Sequence, residues 1–449
     1  MAIATKMNER TKQFVLAHAD DDVRQLALKG CRDTEVDFPV ALQQISGRQA
    51  ARGKIPSWAA IDDIRYPVHL SMEQCSSEAT ARYKAQLVTH NCLSYFSDPN
   101  SSSGHYRKLV DLTGGFGVDF AFMVKSFDEG IYVEHEEGLC AIVHHNLHVL
   151  ANSGPTLPMS PIGSGSPIGP INFSVVHAEA EEFLHRMEEH VTLIFVDPAR
   201  RDKHGARTYS LSDCTPDVLP LMDELLRKSD YGLLKLSPML DWRKAMADVG
   251  SEHVEQVHIV AVDGECKELL LLLSAEGSQQ PLLVCSNDDQ QETFALKASK
   301  APDSASKTNL TGKTSLTSET NTTSTTWGNA PFFLYEPNAA LMKGGFFEEL
   351  AQRYAVRPLA PNSHFFTSDK LVDNFPGRIF RVTAMSTMNK QELKEKVLPL
   401  QQANISVRNF PMSVDALRKK LKLSEGGSNY LFATTLADGR HVILICQKK

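Results

Sequence analysis

Three short stretches hold residues placed to do chemistry. Val196-Asp197-Pro198-Ala199-Arg200-Arg201-Asp202 follows the apolar run Leu193 to Phe195, so a carboxylate and a proline stand where a buried strand ends. Such a corner offers hydrogen-bond acceptors on a stiffened backbone. Upstream, the run Leu109-Val110-Asp111 leads through Leu112 and Thr113 into Gly114, Gly115, Phe116 and Gly117, followed by Asp119. Glycine lets a backbone turn tightly and approach a ligand that a Cβ would exclude. Glu134 closes the next apolar run, 23 positions after Asp111. An acid at that station suits ribose hydroxyls. Asp111 and Asp119 bracket the glycines and would repel a pyrophosphate, and the third glycine of a dinucleotide fingerprint is replaced by Phe120. The pattern predicts a nucleoside-type ligand that carries positive charge, rather than a dinucleotide.

The elements that must position these residues follow from hydrophobic periodicity. Residues 1–95 read as helical, with FVLAHADDDVRQLAL, FPVALQQI and SSEATARYKAQLVTHNCLSYF at helical spacing. From Lys108, the runs KLVDLT, GIYVEH, NFSVVHA, VTLIFVDP, YGLLKLSP, VEQVHIVAV and KELLLLLS predict seven strands with helices between the earlier ones. That alternation implies a mostly parallel sheet, and the short Asp-Gly turn between the last two runs makes one strand antiparallel. Gly154 to Pro170 reads as a surface insertion on the edge away from the ligand crevice. Ser299 to Thr326 reads as a Ser/Thr-rich linker.

Composition bounds the rest. The 449 residues exceed one ordinary core and predict several domains. The start lacks an apolar signal-peptide core, and the longest apolar run, Leu269 to Leu273, is too short to cross a bilayer. Eight scattered cysteines without a CxxC pair argue against a zinc site or a disulfide framework and for a reducing cytoplasm. Net charge is −7, yet Pro376 to Lys449 holds 13 Lys and Arg against 5 Asp and Glu, a surplus of +8. A basic end on an acidic body fits a polyanionic partner, and equally a solvated basic face.

The sulfonium and ammonium groups of S-adenosylmethionine match the charge that Asp111 and Asp119 call for. The pattern D-x-T-x-G-x-G-x-D with an acidic second-strand end resembles class I S-adenosylmethionine-dependent methyltransferases over about Leu109 to Ser274, with the threonine variant similar to bacterial rRNA guanine-N2 methyltransferases. The resemblance implies a Rossmann-like α/β sheet. It implies cofactor contacts from Asp111, Thr113, Gly114, Gly115, Gly117 and Glu134, and an adenine contact from Glu179, with Glu181 second. The whole chain also resembles a bacterial methyltransferase family with a ferredoxin-like module and a THUMP-like C-terminal domain, through SSEATARYKA near Ser76, LYEPNAALMKGGFF near Tyr335, FTSDKLVDNFPGRIF near Phe366 and ISVRNFPMSVDALRKKLKL near Ile405. That implies a structured RNA partner, tRNA or rRNA.

In related enzymes acting on exocyclic amino groups, Asp/Asn-Pro-Pro and an aromatic end the fourth strand. The oxygens take the N–H bonds of the target amine and leave its lone pair aimed at the methyl carbon, and the aromatic stacks on the base. Asp197 and Pro198 keep the first half of this device, whereas Ala199 and Arg200 replace the second. Arg200 could stack on a base or clamp a phosphate with Arg201, or simply pair with Asp202 or Glu134. The motif is also similar to the D-P-P-R of RNA uracil-C5 methyltransferases, but these need a cysteine after the next strand. Here that strand ends KLSP, with Ser237, and Cys214 precedes it. Lys235 and Pro238 end that strand on the ligand side. Tyr83 and Lys84 could reach the cofactor or RNA from the helical region, but on an amphipathic helix Tyr83 reads as a core residue and Lys84 as a solvated one. His144, His145 and His148 have metal-like spacing without a second ligand group. Arg408, Arg418, Lys419, Lys420 and Lys422 are the phosphate-contact candidates.

These readings predict a helical domain over 1–95, a methyltransferase domain over 96–275, a ferredoxin-like module over 276–375 that contains the 299–326 segment, and a THUMP-like basic domain over 376–449. The predicted function is methylation of a base amino nitrogen in tRNA or rRNA by direct transfer, with Asp197, Pro198 and Arg200 at the reaction, no metal, and a cytoplasmic location. DNA or protein as acceptor, or a non-catalytic RNA-binding protein of the same fold, are the alternatives.

Overall fold

The computed structural model describes residues 7–93, 106–152, 172–200, 211–296 and 332–449. The 154–170 and 299–326 segments lie outside the described residues. The chain forms two compact units. The first comprises Met1–Val262, Lys267–Leu283 and Ala295–Ala298, and the second Asp263–Cys266, Val284–Phe294 and Ser299–Lys449.

The first unit opens with six helices: α1 (Glu9–Ala17), α2 (Val23–Lys29), α3 (Phe38–Lys54), α4 (Pro56–Ala59), α5 (His69–Gln74) and α6 (Glu78–Asn91). Asn8, Asp22, Asp37 and Ser77 start α1, α2, α3 and α6 by accepting a hydrogen bond from a backbone N–H of the first turn. Each such cap is worth about 1 kcal/mol. Val15, Leu26, Val36, Ala41 and Ile45 make a small core of their own. By contrast Trp58, Ala81, Leu87 and Val88, from α4 and α6, belong to the main core with Leu109, Phe120, Tyr132, Phe195, Leu233 and Leu270.

Seven strands follow: β1 (Lys108–Asp111), β2 (Glu129–Glu134), β3 (Phe173–His177), β4 (Val191–Val196), β5 (Ser229–Leu236), β6 (Val254–Val262) and β7 (Glu265–Leu273). Their order across the sheet is β3-β2-β1-β4-β5-β7-β6. The first five are mutually parallel, while β7 runs antiparallel to β5, with Gly232 opposite Leu273. The predicted tight turn is present, with Asp263 and Gly264 both at positive φ. Central β4, Val-Thr-Leu-Ile-Phe-Val, is buried at every position, as a strand covered on both faces must be. Two further strands, β8 (Leu282–Asn287) and β9 (Gln290–Ala295), follow β7 along the chain. They are two more than the seven strands expected from the hydrophobic pattern. Helices α7 (Val118–Met123), α8 (Glu137–Asn152), α9 (Ala180–Arg186), α10 (Met222–Lys228) and α11 (Trp242–Asp248) intervene between the strands.

The second unit carries a seven-stranded sheet of β10 (Phe333–Pro337), β11 (Arg357–Pro358), β12 (Phe366–Ser368), β13 (Gly377–Thr387), β14 (Asn404–Val407), β15 (Asn429–Thr435) and β16 (His441–Lys448), in the order β11-β12-β10-β13-β16-β15-β14. Five residue pairs join β10 to β13, from Phe333 opposite Arg381 to Pro337 opposite Gly377. Its longest helices are α12 (Ala339–Gly344), α13 (Phe347–Arg353) and α14 (Val414–Leu421), with shorter helical turns over residues 390–400. Leu417 and Leu421 turn one side of α14 into the core, and Lys419 and Lys420 stand exposed.

Candidate active site

Strands β1 and β4 are adjacent and in register, Asp111 facing Phe195, so the loops after them leave the same carboxyl edge of the sheet. Ligands of open parallel sheets bind at that edge. Thr113 joins the two loops, its Oγ1 accepting the N–H of Asp197 at 2.6 Å. Pro198, next in the chain, is buried.

The glycine turn has three different physical reasons. A Cβ on Gly114 would lie 2.0 Å from the Tyr132 ring, and one on Gly117, at φ +75°, would lie 2.7 Å from Val143. Both glycines therefore let the turn pack closely onto β2 and α8. Gly115, at φ +53°, meets only its neighbour's carbonyl at 3.9 Å and leaves the open side. Glu134 is buried and braces the turn from β2, accepting the N–H of Gly115 and that of Glu136, both at 2.9 Å. Exposed His135 adds a contact at 2.8 Å. Phe116 meets Trp58 edge-on, 5.2 Å between ring centroids, which ties the helical region to the turn.

Asp111 is buried; one oxygen accepts the N–H of Thr113 at 3.0 Å. Burial pushes its carboxyl well above the usual range, and the charges of Asp119, Asp197 and Glu134 push in the same direction. A cation placed beside Asp111 would oppose that shift.

Asp119 departs from expectation. It is buried in an ion network, with Ser76 donating to Oδ2 at 2.7 Å, Lys84 Nζ 3.2 Å from Oδ1 and Lys235 Nζ 3.6 Å from Oδ2. Burial works against its charge, yet Lys84, Lys235 and Ser76 together hold its carboxyl below the ordinary range. Its charge is thus spent on lysines rather than offered to a ligand. Lys84, expected in solvent, is 0% exposed and bonds both oxygens of buried Glu268 at 2.6 and 2.7 Å. Tyr83 is partly buried, as a core position requires, and its hydroxyl bonds His258 at 2.8 Å.

Lys235 joins this network to Asp197, contacting Asp197 Oδ2 directly. Burial lowers the proton affinity of the ammonium, but Asp197, Asp119 and Glu268 outweigh it and keep the group charged well above the ordinary lysine value. Asp119, Asp197 and Glu268 thus share two ammonium groups, and with the buried acids Asp111 and Glu134 they make an acid-rich floor that fits a positively charged ligand. Motif reasoning misses Glu268 and Ser76. One signal for Glu268 stands in the chain, a lone acid entering the run Leu269 to Leu273, where an ionised group needs a partner.

Glu179 stands exposed at the N-cap of α9, with Glu181 two residues on in its first turn. Ala199 and Arg200 pair antiparallel with Thr215 and Cys214, which brings the backbone of buried Cys214 opposite Arg200. The side chain of Arg200, and Arg201 and Asp202, lie outside the described residues. His145 bonds the carbonyl of Asp63 at 2.8 Å, and the His144 and His148 rings meet at 4.6 Å, so these histidines have partners in the fold. The basic candidates divide. Arg408 is bound to buried Glu336 at 2.9 Å, and Arg418 donates to the carbonyls of Ala403 and Ser424 at 3.0 and 3.1 Å. Both are occupied in holding the second unit together, whereas Lys419, Lys420 and Lys422 are exposed.

The strand order, the glycine turn between two strand-end acids and the Asp-Pro corner after β4 define the fold of a class I S-adenosylmethionine-dependent methyltransferase. Over 98% of this chain and 97% of the other, the protein is similar to a presumed methyltransferase of Porphyromonas gingivalis W83, at 28% identity and a TM-score of 0.74. Residues 333–376 match a family model described as a ferredoxin-like domain, and residues 377–448 one described as THUMP domain-like. These two matched segments meet in one sheet through the β10–β13 pairing. A presumed class I S-adenosylmethionine-dependent methyltransferase of Listeria monocytogenes (10% identity, 62% of this chain and 93% of that one, TM-score 0.36) and an rRNA methylase of Streptococcus thermophilus (14%, 42% and 95%, 0.28) are similar over parts of the chain. No curated protein matches the sequence. Among the described residues no helix is long and apolar enough to cross a membrane, and no group of three or more metal-ligating side chains occurs.

Proposed function

We propose that the protein methylates an amino nitrogen of a base in tRNA or rRNA, using S-adenosylmethionine. The observation that carries this reading is the corner itself. Asp197 is fixed by Thr113 through its backbone and by Lys235 through one carboxylate oxygen, beside the glycine turn and the buried acid Asp111. S-adenosylmethionine supplies an electrophilic methyl group on a cationic sulfur. Asp111, Gly115 and Glu134 would hold its amino-acid and ribose parts, with Glu179 at the adenine end. With Oδ2 of Asp197 taken by Lys235, Oδ1, without a partner among the described residues, would accept an N–H of the target amine, and the neighbouring backbone carbonyl the other. Both bonds turn the nitrogen lone pair outward, a positioning effect worth several kcal/mol, roughly, in oriented reactions.

RNA as the acceptor is supported by the THUMP domain-like match and by the exposed Lys419, Lys420 and Lys422 on and just after α14. Two measurements test the reading. Calorimetry is expected to show S-adenosylmethionine binding that Asp111→Ala removes. Mass spectrometry of nucleosides from total RNA is expected to show a methylated base that disappears when the gene is deleted. No heat of binding at millimolar cofactor refutes the enzyme, and an unchanged nucleoside profile refutes RNA.

A further inference from the structure

We propose that Lys235 is a positioning residue for this transfer, aiming Asp197 at the acceptor amine through a ladder of buried charges anchored on helix α6. The inference rests on the methyltransferase reading above and adds a residue to it. The ladder alternates in sign through four side chains from four elements. Lys84 of α6 contacts Asp119 of α7 at 3.2 Å, Asp119 contacts Lys235 of β5 at 3.6 Å, and Lys235 contacts Asp197 after β4. Glu268 of β7 holds Lys84 from the other side with two bonds, and Ser76, just before α6, holds Asp119.

Exposure changes along the ladder. Lys84 is 0% exposed, Asp119 9%, Lys235 12% and Asp197 34%, so the chain starts in the core and surfaces at the corner. A fold that needed only charge neutrality could end at the Lys84–Glu268 pair. Lys235 instead spends its ammonium on the carboxylate that faces the open edge. Its grip on Oδ2 removes the rotation by which Asp197 would exchange its two oxygens, leaving Oδ1 in one place. A fixed acceptor matters because a displacement of about 1 Å can cost about 100-fold in rate.

The test measures methyl transfer from labelled S-adenosylmethionine to total RNA extracted from cells that lack the gene. Single-turnover rates at saturating RNA are compared for the full-length wild type, Lys235→Met, Lys235→Arg, Asp197→Asn and the Lys235→Met/Asp197→Asn double variant. Lys235→Met is expected to lower the maximal rate by about 100-fold. The RNA concentration for half-maximal rate and the calorimetric cofactor affinity are expected to stay near wild type, and Lys235→Arg to recover part of the rate. The double variant is expected to be no slower than the slower single one, as residues acting as a unit are. If Lys235→Met fails to bind cofactor, the Lys84→Met/Glu268→Gln pair, which removes the buried foot of the ladder and its partner, one charge of each sign, carries the test with the same split expected. A wild-type rate in the variants that bind cofactor, or losses that simply multiply in the double variant, overturns the role of Lys235 alone. Absence of transfer by the wild type overturns the methyltransferase reading and this inference with it.

Discussion

Lys84→Met isolates the most deeply buried charge in the first unit. The ammonium bonds both oxygens of Glu268 at 2.6 and 2.7 Å and lies 3.2 Å from Asp119, with all three side chains under 10% exposed. Its removal leaves two buried carboxylates with only Lys235 to compensate them. Breaking one side of a buried ion pair costs about 3–5 kcal/mol, whereas replacing both partners by apolar groups is often close to neutral. Lys84→Met is therefore expected to destabilise the unit by about 3–5 kcal/mol, and Lys84→Met/Glu268→Leu to recover most of that loss. For a unit of this size about 1 kcal/mol moves Tm by roughly 2–4 °C, so the single variant should melt on the order of 10 °C lower. Burial already raises the carboxyl of Glu268 against the pull of Lys84 and Lys235. A carboxyl with a higher proton affinity in the native state than in the unfolded chain favours folding at low pH and loses that contribution as pH rises. The penalty in Lys84→Met should then be larger at pH 8 than at pH 5.5. Thermal unfolding of both variants at the two pH values is the assay. A single-variant loss under about 1 kcal/mol, or a double variant no more stable than the single, would refute the argument that a buried ion pair holds α6 to the sheet.

Other expectations follow from the same geometry. His258 is fully buried, and burial drives its imidazole down to about 3 from 6.5, so the unfolded chain binds a proton that the native state refuses. Stability is then complete above pH 6.5 and falls as pH drops below it, by about 2 kcal/mol at pH 5; His258→Gln should flatten that fall in denaturant titrations. Gly114→Ala drives a Cβ into the Tyr132 ring and should cost about 1–3 kcal/mol together with weaker cofactor binding, read by melting and calorimetry. Replacing Lys419, Lys420 and Lys422 by Ala should reduce the slope of log affinity for RNA against log salt by about 2–3, measured by filter binding. Replacing Arg418 should instead lower the stability of the second unit, because its guanidinium caps the carbonyls of Ala403 and Ser424.

Part of the site is legible in the order of residues alone. The strand ends at Asp111, Glu134 and Val196 are where apolar runs stop, and the turn at Asp263 and Gly264 is where a hairpin dipeptide stands. Lys84 cannot be read in this way. At helical spacing a lysine beside Tyr83 has the pattern of a solvated residue, and only the packing of α6 against the sheet gives it two buried acids to meet. The glycines are legible as a turn but not in their purpose, since the obstacles, Tyr132 and Val143, sit on other elements. The basic residues near α14 look alike in sequence, yet Arg418 bends back to two carbonyls while Lys419 and Lys420 remain in solvent.

The sequence by itself determined the alternation of strands and helices, the glycine turn, the acids that end β1 and β2, and the Asp-Pro corner after β4. These are local matters, because periodicity, breaker residues and strand ends act over a few positions. Only the tertiary structure decided which charges neutralise one another. Lys84 and Glu268 are 184 positions apart, and Lys235 and Asp197 are 38 apart. They meet because the sheet sets β4, β5 and β7 side by side and α6 lies against them, an adjacency written in no local stretch of the chain. Buried charge makes that adjacency compulsory, since an ion removed from water must find its partner wherever the fold has placed it.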